Sequence, residues 1–480
     1  PYTTLFRSID ASQLSEWFIL AARWLFVVIS TYFIVYLLAV NKYVFAVLFP
    51  VFTFICTIIS YFRYTVKVEL TQMVIDLALV NDLRTDIDMV SWKLIVIVLI
   101  ALALSVFVVI FRFRRVSFEH AWLHFLLAIA GIAAVNSTWQ TRLALSRRIP
   151  YSVFYSVLGY IDNRNEISNR HLAFGGTPEC HADSLTVVFV LGESLRASNI
   201  QINGYERPTT PLLAKEKNVV SLPNVFSEYP YTHTSVPYIL TRADHAHQQR
   251  AYTERSFVSI LKKAGYYTAW IANQESVATF AYFMNETDTL DYVNSGKSLY
   301  VMSQWLDEDI IPSYERLLQS NRNRKCFIIH TIGSHWFYDS HYPEKFARWQ
   351  PTARSKVISE NTLTEMRNSY DNTILYSDWF WHELIERLRG ENAVLIYLSD
   401  HAECMGEDGY MTHGTDHPAL HRPACFVWFS EKYAQNYPKK VAALRKNRMK
   451  RYNSSFLFHS VISAADVKTK YINHQENIFY

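Results

Sequence analysis

Carboxylate and imidazole side chains follow two apolar runs that have the composition of buried strands. The first run, Leu185 to Leu191, is followed by Gly192 and then by Glu193. The second, 393–398, is followed by Ser399 and then by Asp400 and His401. In an open α/β sheet ligands bind at the carboxyl ends of strands, so these runs can bring residues roughly 200 apart in sequence into one site. Two carboxylates and an imidazole are suitable ligands for Zn²⁺.

A threonine between the two runs could supply a nucleophile. Thr232 lies in the segment YPYTHTSVP, and its hydroxyl is a candidate fourth metal ligand. A threonine hydroxyl is a very weak acid, so as a nucleophile it needs a metal, a base or both. The next residues predict a helix start, with Thr234 or Ser235 as the N-cap and Pro237 in the first turn. The positive end of that helix would face an incoming phosphate group.

The second half of the chain alternates between helix and strand patterns. The segment 256–264 places apolar residues on one helical face and leads into the strand-like YYTAWIA. Further strands are predicted at 326–331 and 424–429, and a helix at 372–389 that ends before Gly390. This alternation predicts one large α/β domain with a parallel or mixed central sheet flanked by helices.

The first half of the chain has a different character. It contains four apolar runs, each roughly long enough to cross a ~30 Å hydrocarbon layer: Trp24 to Val40, Tyr43 to Ile59, Leu94 to Phe111 and Ala121 to Val135. Buried helices of a soluble core are the alternative, but such helices rarely lack a polar face four times in succession. We therefore predict a membrane-embedded helical domain.

These patterns divide the chain into three parts: a transmembrane helical domain at 1–138, a juxtamembrane helix and linker at 139–183, and an α/β domain at 184–480.

The chain begins with Pro1, and its octet PYTTLFRS resembles a translated cloning adapter, so we expect that a preceding span is missing. Genuine N-terminal residues of a processed chain are the alternative. Positively charged loops usually lie on the cytoplasmic side, but arginines occur equally at 112–115 and at 142–148. Charge alone therefore does not settle how the helices are oriented in the membrane.

Charge and cysteine content exclude some classes of function. A net charge of +4 and the lack of a recognisable motif argue against nucleic-acid binding. The five cysteines form no CxxC pair, which argues against a structural zinc knuckle. A basic cluster stands out near the C-terminus and is either a solvated helix face or a contact for anionic lipid headgroups; its members are Lys439, Lys440, Arg445, Lys446, Arg448, Lys450 and Arg451.

Several ordered motifs resemble one family, the membrane phosphoethanolamine transferases that modify lipopolysaccharide, a branch of the alkaline phosphatase and sulfatase superfamily. The string GESLRASNIQINGYERPTTPLLAKEKNVVSLPNVF is similar to the region around the family's first metal ligand, and the spacing to Thr232 is similar as well. Further matches are HTIGSH at 330–335, YDNTILYSD at 370–378, SDHAECMGEDGYMTHG at 399–414, FLFHSVI at 456–462 and, in the membrane half, NDLRTD at 81–86.

The resemblance implies roles for individual residues. Glu193, Thr232, Asp400 and His401 would bind one zinc ion, and Thr232 would be the nucleophile. The remaining matched histidines would hold the phosphoryl group or a second zinc ion and assist the leaving or entering oxygen: they are His335 and His413. For each histidine, a hydrogen-bonded structural role is the alternative.

The resemblance also implies a reaction and a location. Phosphoethanolamine would pass from phosphatidylethanolamine to Thr232 and then to lipid A or the lipopolysaccharide core. The enzyme would be a monomer of the bacterial inner membrane with its catalytic domain in the periplasm. Transfer of phosphoethanolamine or phosphoglycerol to a periplasmic glycan, glucan or membrane anchor is the main alternative, and a catalytically inactive membrane-tethered module is a remote one.

Departures from the family pattern concern specificity and not the proposed ligands. Arg84 stands where the family commonly has glutamate, His233 stands where a smaller residue is commoner, and Ala402 and Cys404 replace the glycine and serine of SDHGES. A sulfatase activity is disfavoured, because the sequence after Ser235 lacks the arginine that supports formylglycine formation.

Overall fold

The apolar runs of the first half form helices. The computed structural model describes residues 14–65, 70, 90–146, 148–166, 171–274, 278–293 and 304–480. The helices of the first unit are α1 (Leu14–Val40), α2 (Lys42–Thr65), α3 (Trp92–Arg115), α4 (Ala121–Val135), α5 (Trp139–Ser146) and α6 (Tyr151–Glu166). Helix α2 packs against α1 and α3, and α1 also packs against α4.

Two of these helices meet the length and composition expected of membrane spans. Within the described residues, α2 and α3 are long and apolar enough to cross a bilayer. The other two predicted runs form shorter apolar helices, at Trp24–Val40 and Ala121–Val135. Of the four predicted spans, those at α2 and α3 meet the combined criterion of length and apolar composition among the described residues.

Polar side chains within the apolar helices have local partners. The guanidinium of Arg112 donates to the carbonyl oxygens of Ala39 and Val116, at 2.7 Å each, so it satisfies backbone acceptors near the end of α1. Nδ1 of His124 lies 2.6 Å from the hydroxyl of Tyr36. Each of these two side chains is thereby hydrogen-bonded, which offsets part of the cost of burying it.

The second unit spans residues 166–480 and is built on a seven-stranded sheet. Its strands follow the order β3-β11-β8-β2-β7-β5-β6. The bounds of all strands are β1 (Glu179–Cys180), β2 (Leu185–Gly192), β3 (Val219–Ser221), β4 (Val225–Phe226), β5 (Tyr267–Ala272), β6 (Thr289–Tyr292), β7 (Arg324–His330), β8 (Ala393–Ser399), β9 (Cys404–Met405), β10 (Met411–Thr412), β11 (Cys425–Phe429), β12 (Tyr452–Asn453) and β13 (Val467–Lys468).

The centre of the sheet is parallel and one edge is antiparallel. Strand β2 pairs in parallel with β7 and β8, and β5 pairs in parallel with β6 and β7. Strand β11 runs antiparallel to β8 and β3. Every residue of β2 and β8 is buried, which explains why these strands are continuous apolar runs instead of alternating ones. The predicted mainly parallel sheet is confirmed.

Helices cover the sheet and set the positions of its loops. Their bounds are α7 (Thr232–Leu240), α8 (Arg250–Thr253), α9 (Phe257–Lys263), α10 (Ala278–Met284), α11 (Ile311–Leu318), α12 (Leu363–Leu388), α13 (Glu431–Asn436), α14 (Pro438–Asn447) and α15 (Phe456–Ala464). Helix α12 begins with a capping box, in which Thr362 and Glu365 satisfy each other's backbone N–H groups. It therefore starts before the predicted residue 372.

The predicted N-cap of α7 is wrong. The helix begins at Thr232, with Tyr231 in the N-cap position and Pro237 inside the helix. The Ser235 hydroxyl does not cap the helix because it donates to the backbone oxygen of Asp400 at 2.6 Å. The hydroxyl of Thr234 donates back to the carbonyl of Tyr231. The Ser235 hydroxyl thus makes a tertiary contact and the Thr234 hydroxyl a local backbone bond, and neither makes the capping bond that the sequence predicts.

Some predictions lie outside the described residues. These are the adapter-like octet 1–8 and the motif NDLRTD with Arg84. The boundaries proposed at residues 138 and 183 stay predictions.

Candidate active site

Two neighbouring strands place the predicted acidic residues side by side. Gly192 at the end of β2 is paired in register with Ser399 at the end of β8. The next residues, Glu193 and Asp400, therefore leave the sheet at the same edge, and the Asp400 N–H donates to the carbonyl of Gly192 at 3.0 Å. The fully buried strands fix both carboxylates, so the sheet itself sets their separation.

Four predicted metal ligands converge at this edge. Candidate ligand atoms of Glu193, Asp400 and His401 all lie within 4.8 Å of one another. Nε2 of His401 is 3.3 Å from Glu193 Oε1 and 3.5 Å from Asp400 Oδ2. The hydroxyl of Thr232 donates to Glu193 Oε2 at 3.0 Å and lies 3.4 Å from His401 Nε2. The structure thus brings together all four side chains from β2, β8 and α7.

The burial of these groups differs in a way that suits their proposed roles. Glu193, Asp400 and His401 are at most 1% exposed, whereas Thr232 is partly exposed. Thr232 also occupies the first position of α7, so the positive end of that helix lies beside its hydroxyl. A buried acidic centre with an accessible hydroxyl at a helix N-terminus is suited to bind a phosphate group.

The charges within the centre are strongly coupled. Burial disfavours ionisation of Glu193, but the hydrogen bond and charge of His401 hold its pKa well below the ordinary range. Burial and the charge of Glu193 raise the pKa of Asp400 to about 7. Burial opposes protonation of His401, yet Asp400 and Glu193 raise its pKa to about 10. Two adjacent carboxylates create a negative potential that favours a bound cation.

The two additional predicted histidines lie next to this centre. The ring of His413 is 4.7 Å from that of His401 and 6.4 Å from that of His335, measured between centroids. Nδ1 of His413 is 2.8 Å from Oε1 of the buried Glu403, which therefore orients the imidazole. Nδ1 of His335 bonds to the carbonyl of Trp336. Each histidine has one ring nitrogen fixed by a neighbour, which leaves Nε2 to face a ligand.

Comparison with known proteins identifies the family of the second unit. The sulfatase family profile matches residues 186–467, which is more than half of the chain. The chain belongs to the sulfatase family. The match begins within β2 and ends in β13, so it covers both strands of the candidate site.

The curated proteins to which the chain is similar include phosphoethanolamine transferases. The chain is 28% identical over 307 residues to phosphoethanolamine transferase EptA of Escherichia coli, covering 61% of this chain and 55% of that protein. It is 32% identical over 289 residues to Kdo(2)-lipid A phosphoethanolamine 7''-transferase of Escherichia coli, covering 57% of this chain and 49% of that protein. The chain thus spans about half the length of the curated relatives it matches.

Solved structures of the same family share the fold. The integral membrane protein lipooligosaccharide phosphoethanolamine transferase A (EptA) from Neisseria meningitidis superposes with a TM-score of 0.76 at 21% identity, covering 90% of this chain and 86% of that chain. The C-terminal periplasmic domain of EptC from Escherichia coli, solved in complex with Zn, has a TM-score of 0.55 at 24% identity, covering 64% of this chain and 87% of that chain.

The sulfatase-family centre has the donor set that a zinc ion requires. Asp400 Oδ2 is buried and accepts no hydrogen bond from the described residues. Nδ1 of His401 lies 2.8 Å from the carbonyl oxygen of Ala402. Because a carbonyl only accepts, Nδ1 carries a hydrogen, so Nε2 is the nitrogen that would release its proton and bind a metal. Two carboxylates, this nitrogen and the Thr232 hydroxyl match the ligand chemistry of a mononuclear zinc centre.

Sequence reasoning missed several polar residues around the centre. Gln274, which follows β5, donates from Nε2 to Glu193 Oε2 at 3.0 Å and to the carbonyl of Thr331 at 2.8 Å. The Ser194 hydroxyl donates to Glu193 Oε1 at 2.7 Å. Glu403 accepts a hydrogen bond from Tyr338 at 2.9 Å on the oxygen that His413 does not contact. The sequence did offer one signal for Gln274, which lies just after a predicted strand. That strand, β5, is the neighbour of β7 in the sheet, and both end at the edge that carries the centre.

Glycine is required where the turn after β7 approaches Glu193. Gly333 has φ +53°, and a Cβ on it would lie 2.9 Å from the backbone oxygen of Glu193. The Ser334 N–H donates to that same oxygen at 3.1 Å. The β7 turn therefore packs directly on the backbone of the first proposed ligand, and a side chain at residue 333 would displace it.

Two residues that depart from the family pattern, His233 and Cys404, are both buried. His233 is 7% exposed, and burial, with the charges of His401 and His413, lowers its pKa to about 4, so it is neutral. Cys404 is buried, and burial raises the pKa of its thiol to about 12, which makes it a poor nucleophile. All five cysteines are free thiols.

Proposed function

We propose that this protein transfers phosphoethanolamine from phosphatidylethanolamine to lipid A or the lipopolysaccharide core, through a covalent intermediate on Thr232. The observation that carries the proposal is the position of the Thr232 hydroxyl, which donates to Glu193 Oε2 at 3.0 Å from the first residue of α7. A hydroxyl that is aligned by a carboxylate, lies beside a helix N-terminus and is open to solvent is suited to attack a phosphorus atom.

In the first half-reaction, the Thr232 hydroxyl gives its proton to Glu193 Oε2, to which it is hydrogen-bonded, and its oxygen forms a bond to the phosphorus of the donor lipid. The bond between phosphorus and the diacylglycerol oxygen breaks, and diacylglycerol leaves. Glu193 orients the hydroxyl through its hydrogen bond, and the N-terminus of α7 stabilises the negative phosphoryl oxygens. His413, held by Glu403, is placed to give a proton to the leaving oxygen.

The second half-reaction reverses these roles. His413, now neutral, accepts the proton of an acceptor hydroxyl or phosphate as that oxygen attacks the phosphothreonine. The bond between phosphorus and the Thr232 oxygen breaks, and Glu193 Oε2 returns the proton to that oxygen. His335, whose ring lies 6.4 Å from that of His413, is placed to hold the phosphoryl group through Nε2 in both steps.

We propose that Glu193, Thr232, Asp400 and His401 hold one zinc ion, because their donor atoms converge and Asp400 Oδ2, 3.5 Å from His401 Nε2, accepts no hydrogen bond in the described structure. When bound, zinc supplies Lewis-acid chemistry that lowers the pKa of an alcohol and neutralises phosphoryl charge. The Zn complex of the EptC domain from Escherichia coli supports this choice of metal. A second zinc ion at His335 and His413 is not needed for the steps above.

The names of the relatives support the substrates and the location. A Kdo(2)-lipid A transferase is among them, which supports a lipid acceptor, and an integral membrane protein shares the fold over 90% of this chain. Helices α2 and α3 are apolar enough to anchor the protein in the membrane that contains the donor. We propose an inner-membrane protein whose second unit is periplasmic and which acts as a monomer.

The test compares three forms of the full chain expressed in cells: wild type, Thr232→Ala and Thr234→Ala. Thr234 is the matched control, because it is a partly buried threonine of the same helix whose hydroxyl bonds to the carbonyl of Tyr231 and not to the centre. Mass spectrometry of lipid A should show the gain of one phosphoethanolamine group with wild type and with Thr234→Ala. Thr232→Ala should lose the modification entirely.

Two outcomes would contradict parts of the proposal. Modification of lipid A by Thr232→Ala at the wild-type level would exclude Thr232 as the nucleophile. Unmodified lipopolysaccharide in wild-type cells, together with a phosphoethanolamine-bearing periplasmic glycan, would overturn the proposed acceptor while leaving the nucleophile assignment intact.

A further inference from the structure

A cationic surface lies on and after helix α14. It consists of exposed basic residues and one exposed methionine: Lys439, Arg445, Lys446, Arg448, Met449, Lys450 and Arg451. Lys439 and Lys446 are about two helical turns apart, so they lie one above the other on the same face of α14. The opposite face is buried through Val441 and Leu444. The basic side chains of the helix therefore point to solvent together.

Intramolecular pairing does not account for this surface. Among the described residues, no carboxylate lies within ion-pair distance of the six cations, whereas the neighbouring Lys440 pairs with Asp466 at 2.6 Å. The guanidinium groups of Arg445 and Arg451 instead lie over the rings of Phe429 and Phe226, at 5.7 and 5.0 Å. The surface thus concentrates positive charge without internal neutralisation.

Helix stability explains only part of the cluster. Arg445 and Lys446 lie in the last turn of α14, where positive charge interacts favourably with the helix dipole. Lys439 lies in the first turn, where positive charge is unfavourable, and Lys450 and Arg451 lie beyond the helix end. Met449 is 56% exposed between these cations, so an apolar side chain also faces solvent there.

A short series of contacts connects the surface to the candidate centre. Arg451 covers the ring of Phe226 in β4, and Phe226 bonds through its carbonyl to the N–H of Ser454. The next residue, Ser227, donates from its hydroxyl to the backbone oxygen of Asp400 at 3.0 Å. These contacts link Arg451, which follows α14, to the segment that contacts Asp400.

We propose that the cationic surface binds the phosphate headgroups of an anionic lipid leaflet. Six cations without a carboxylate partner among the described residues match a surface of repeated negative phosphates, which attracts basic side chains. The exposed Met449 can enter the boundary between headgroups and acyl chains, which a purely polar partner would not require. Binding there does not depend on the transfer reaction.

The test places the full chain in nanodiscs of neutral phosphatidylcholine and adds separate vesicles. Vesicles of phosphatidylcholine and phosphatidylglycerol at a ratio of about 7:3 should carry wild-type protein upward in a flotation gradient at low salt. Binding should fall about tenfold or more at high salt, because headgroup attraction is screened. Vesicles of phosphatidylcholine alone should not carry the protein.

A charge-reversal variant and a matched control locate the effect. The variant Arg448→Glu, Lys450→Glu, Arg451→Glu should lose flotation at least tenfold. The control Lys217→Glu, Arg322→Glu, Arg354→Glu changes the net charge equally at exposed cations elsewhere on the second unit and should float like wild type. Both variants should melt within a few degrees of wild type, because substitutions of exposed residues rarely change stability much.

Three results would overturn the proposal. The first is wild-type protein that does not bind anionic vesicles. The second is flotation of the charge-reversal variant equal to that of wild type or of the matched control. The third is binding of single-stranded DNA by the wild type that exceeds its vesicle binding and disappears in the variant, which would identify the surface as a nucleic-acid site instead.

Discussion

At the scale of single residues, the site depends on how the two oxygens of Glu193 are shared. Oε1 accepts the Ser194 hydroxyl and lies 3.3 Å from His401, while Oε2 accepts the Thr232 hydroxyl and the Gln274 amide. Gln274 uses both protons of Nε2, because it also donates to the carbonyl of Thr331. Its amide therefore fixes the carboxylate relative to the end of β7, which makes Gln274 a positioning residue.

Replacing Gln274 by alanine should weaken zinc binding. The carboxylate of Glu193 would lose one of the donors that holds it in place, and loss of such outer partners typically costs 10–100-fold in metal affinity. We expect the zinc dissociation constant of Gln274→Ala, measured by chelator competition on the full chain, to rise within about this range. The control Gln350→Ala removes an exposed amide that bonds to Ala347 and should bind zinc like wild type.

An equal dissociation constant for wild type and Gln274→Ala would show that Glu193 is held without the amide. The positioning role of Gln274 would then be wrong, whatever the transfer activity of the variant.

The principal side chains could be predicted from sequence, but their supporting groups could not. Glu193, Asp400 and His401 follow continuous apolar runs, so both strand type and strand end were visible in the pattern. Gln274 also follows a strand, yet nothing local indicates that its amide turns toward a carboxylate on a strand two positions away in the sheet. Strand order, which decides such contacts, arises from tertiary packing.

At the scale of elements, helix α12 supports the turn that carries Glu193. Tyr370 is fully buried, and its hydroxyl donates to the carbonyl of Ser194 at 2.6 Å and accepts from the N–H of Arg196 at 2.9 Å. Ser194 has φ +56°, a left-handed conformation that is unfavourable for serine and must be held by its surroundings. The helix thus braces the residue directly after the first proposed ligand.

Tyr370→Phe should lower both stability and zinc affinity. It leaves two buried backbone groups without the hydroxyl, which costs about 1–3 kcal/mol. Tyr376→Phe is a matched control on the same helix, because its buried hydroxyl accepts from the N–H of Glu308 at 2.9 Å, away from the turn. Thermal melting of the full chain should fall for both variants, whereas the zinc dissociation constant should rise only for Tyr370→Phe.

The brace would be refuted if both variants bound zinc equally well. A shared loss of melting temperature alone would mean that Tyr370 contributes to the core and not to the geometry of the Glu193 turn.

The start of α7 shows why element boundaries were harder to predict than element types. Thr234 and Ser235 are suitable N-cap residues by type, and the sequence offers no sign that their hydroxyls have other partners. The Ser235 hydroxyl bonds to Asp400, which lies far along the chain, so the helix extends back to Thr232. That shift places Thr232, the proposed nucleophile, inside the first turn, where its hydroxyl lies close to the positive end of the helix dipole.

At the scale of the whole molecule, the proposed zinc site joins segments that are distant in sequence. Glu193 follows β2, Thr232 begins α7, and Asp400 and His401 follow β8, so the donor set exists only when the central sheet is assembled. A ligand that binds the folded state and not the unfolded chain stabilises the folded state by mass action. The geometry of the proposed zinc site therefore predicts a link between zinc binding and folding.

Zinc should raise the melting temperature of the full chain in nonionic detergent, and a chelator should lower it. At a free zinc concentration of 100 times the dissociation constant, the free energy of unfolding should increase by about 2.7 kcal/mol. Magnesium should have little effect, because it prefers six oxygen ligands and this centre includes a histidine nitrogen. Asp400→Asn removes a charged ligand whose Oδ2 has no hydrogen-bond donor in the described structure, so this variant should melt at the same temperature with and without zinc. Two results would contradict the proposed metal centre: a wild-type melting temperature that changes with neither zinc nor chelator, or an Asp400→Asn variant that responds to zinc as the wild type does. Either result would mean that these four side chains do not bind a cation together when the sheet forms.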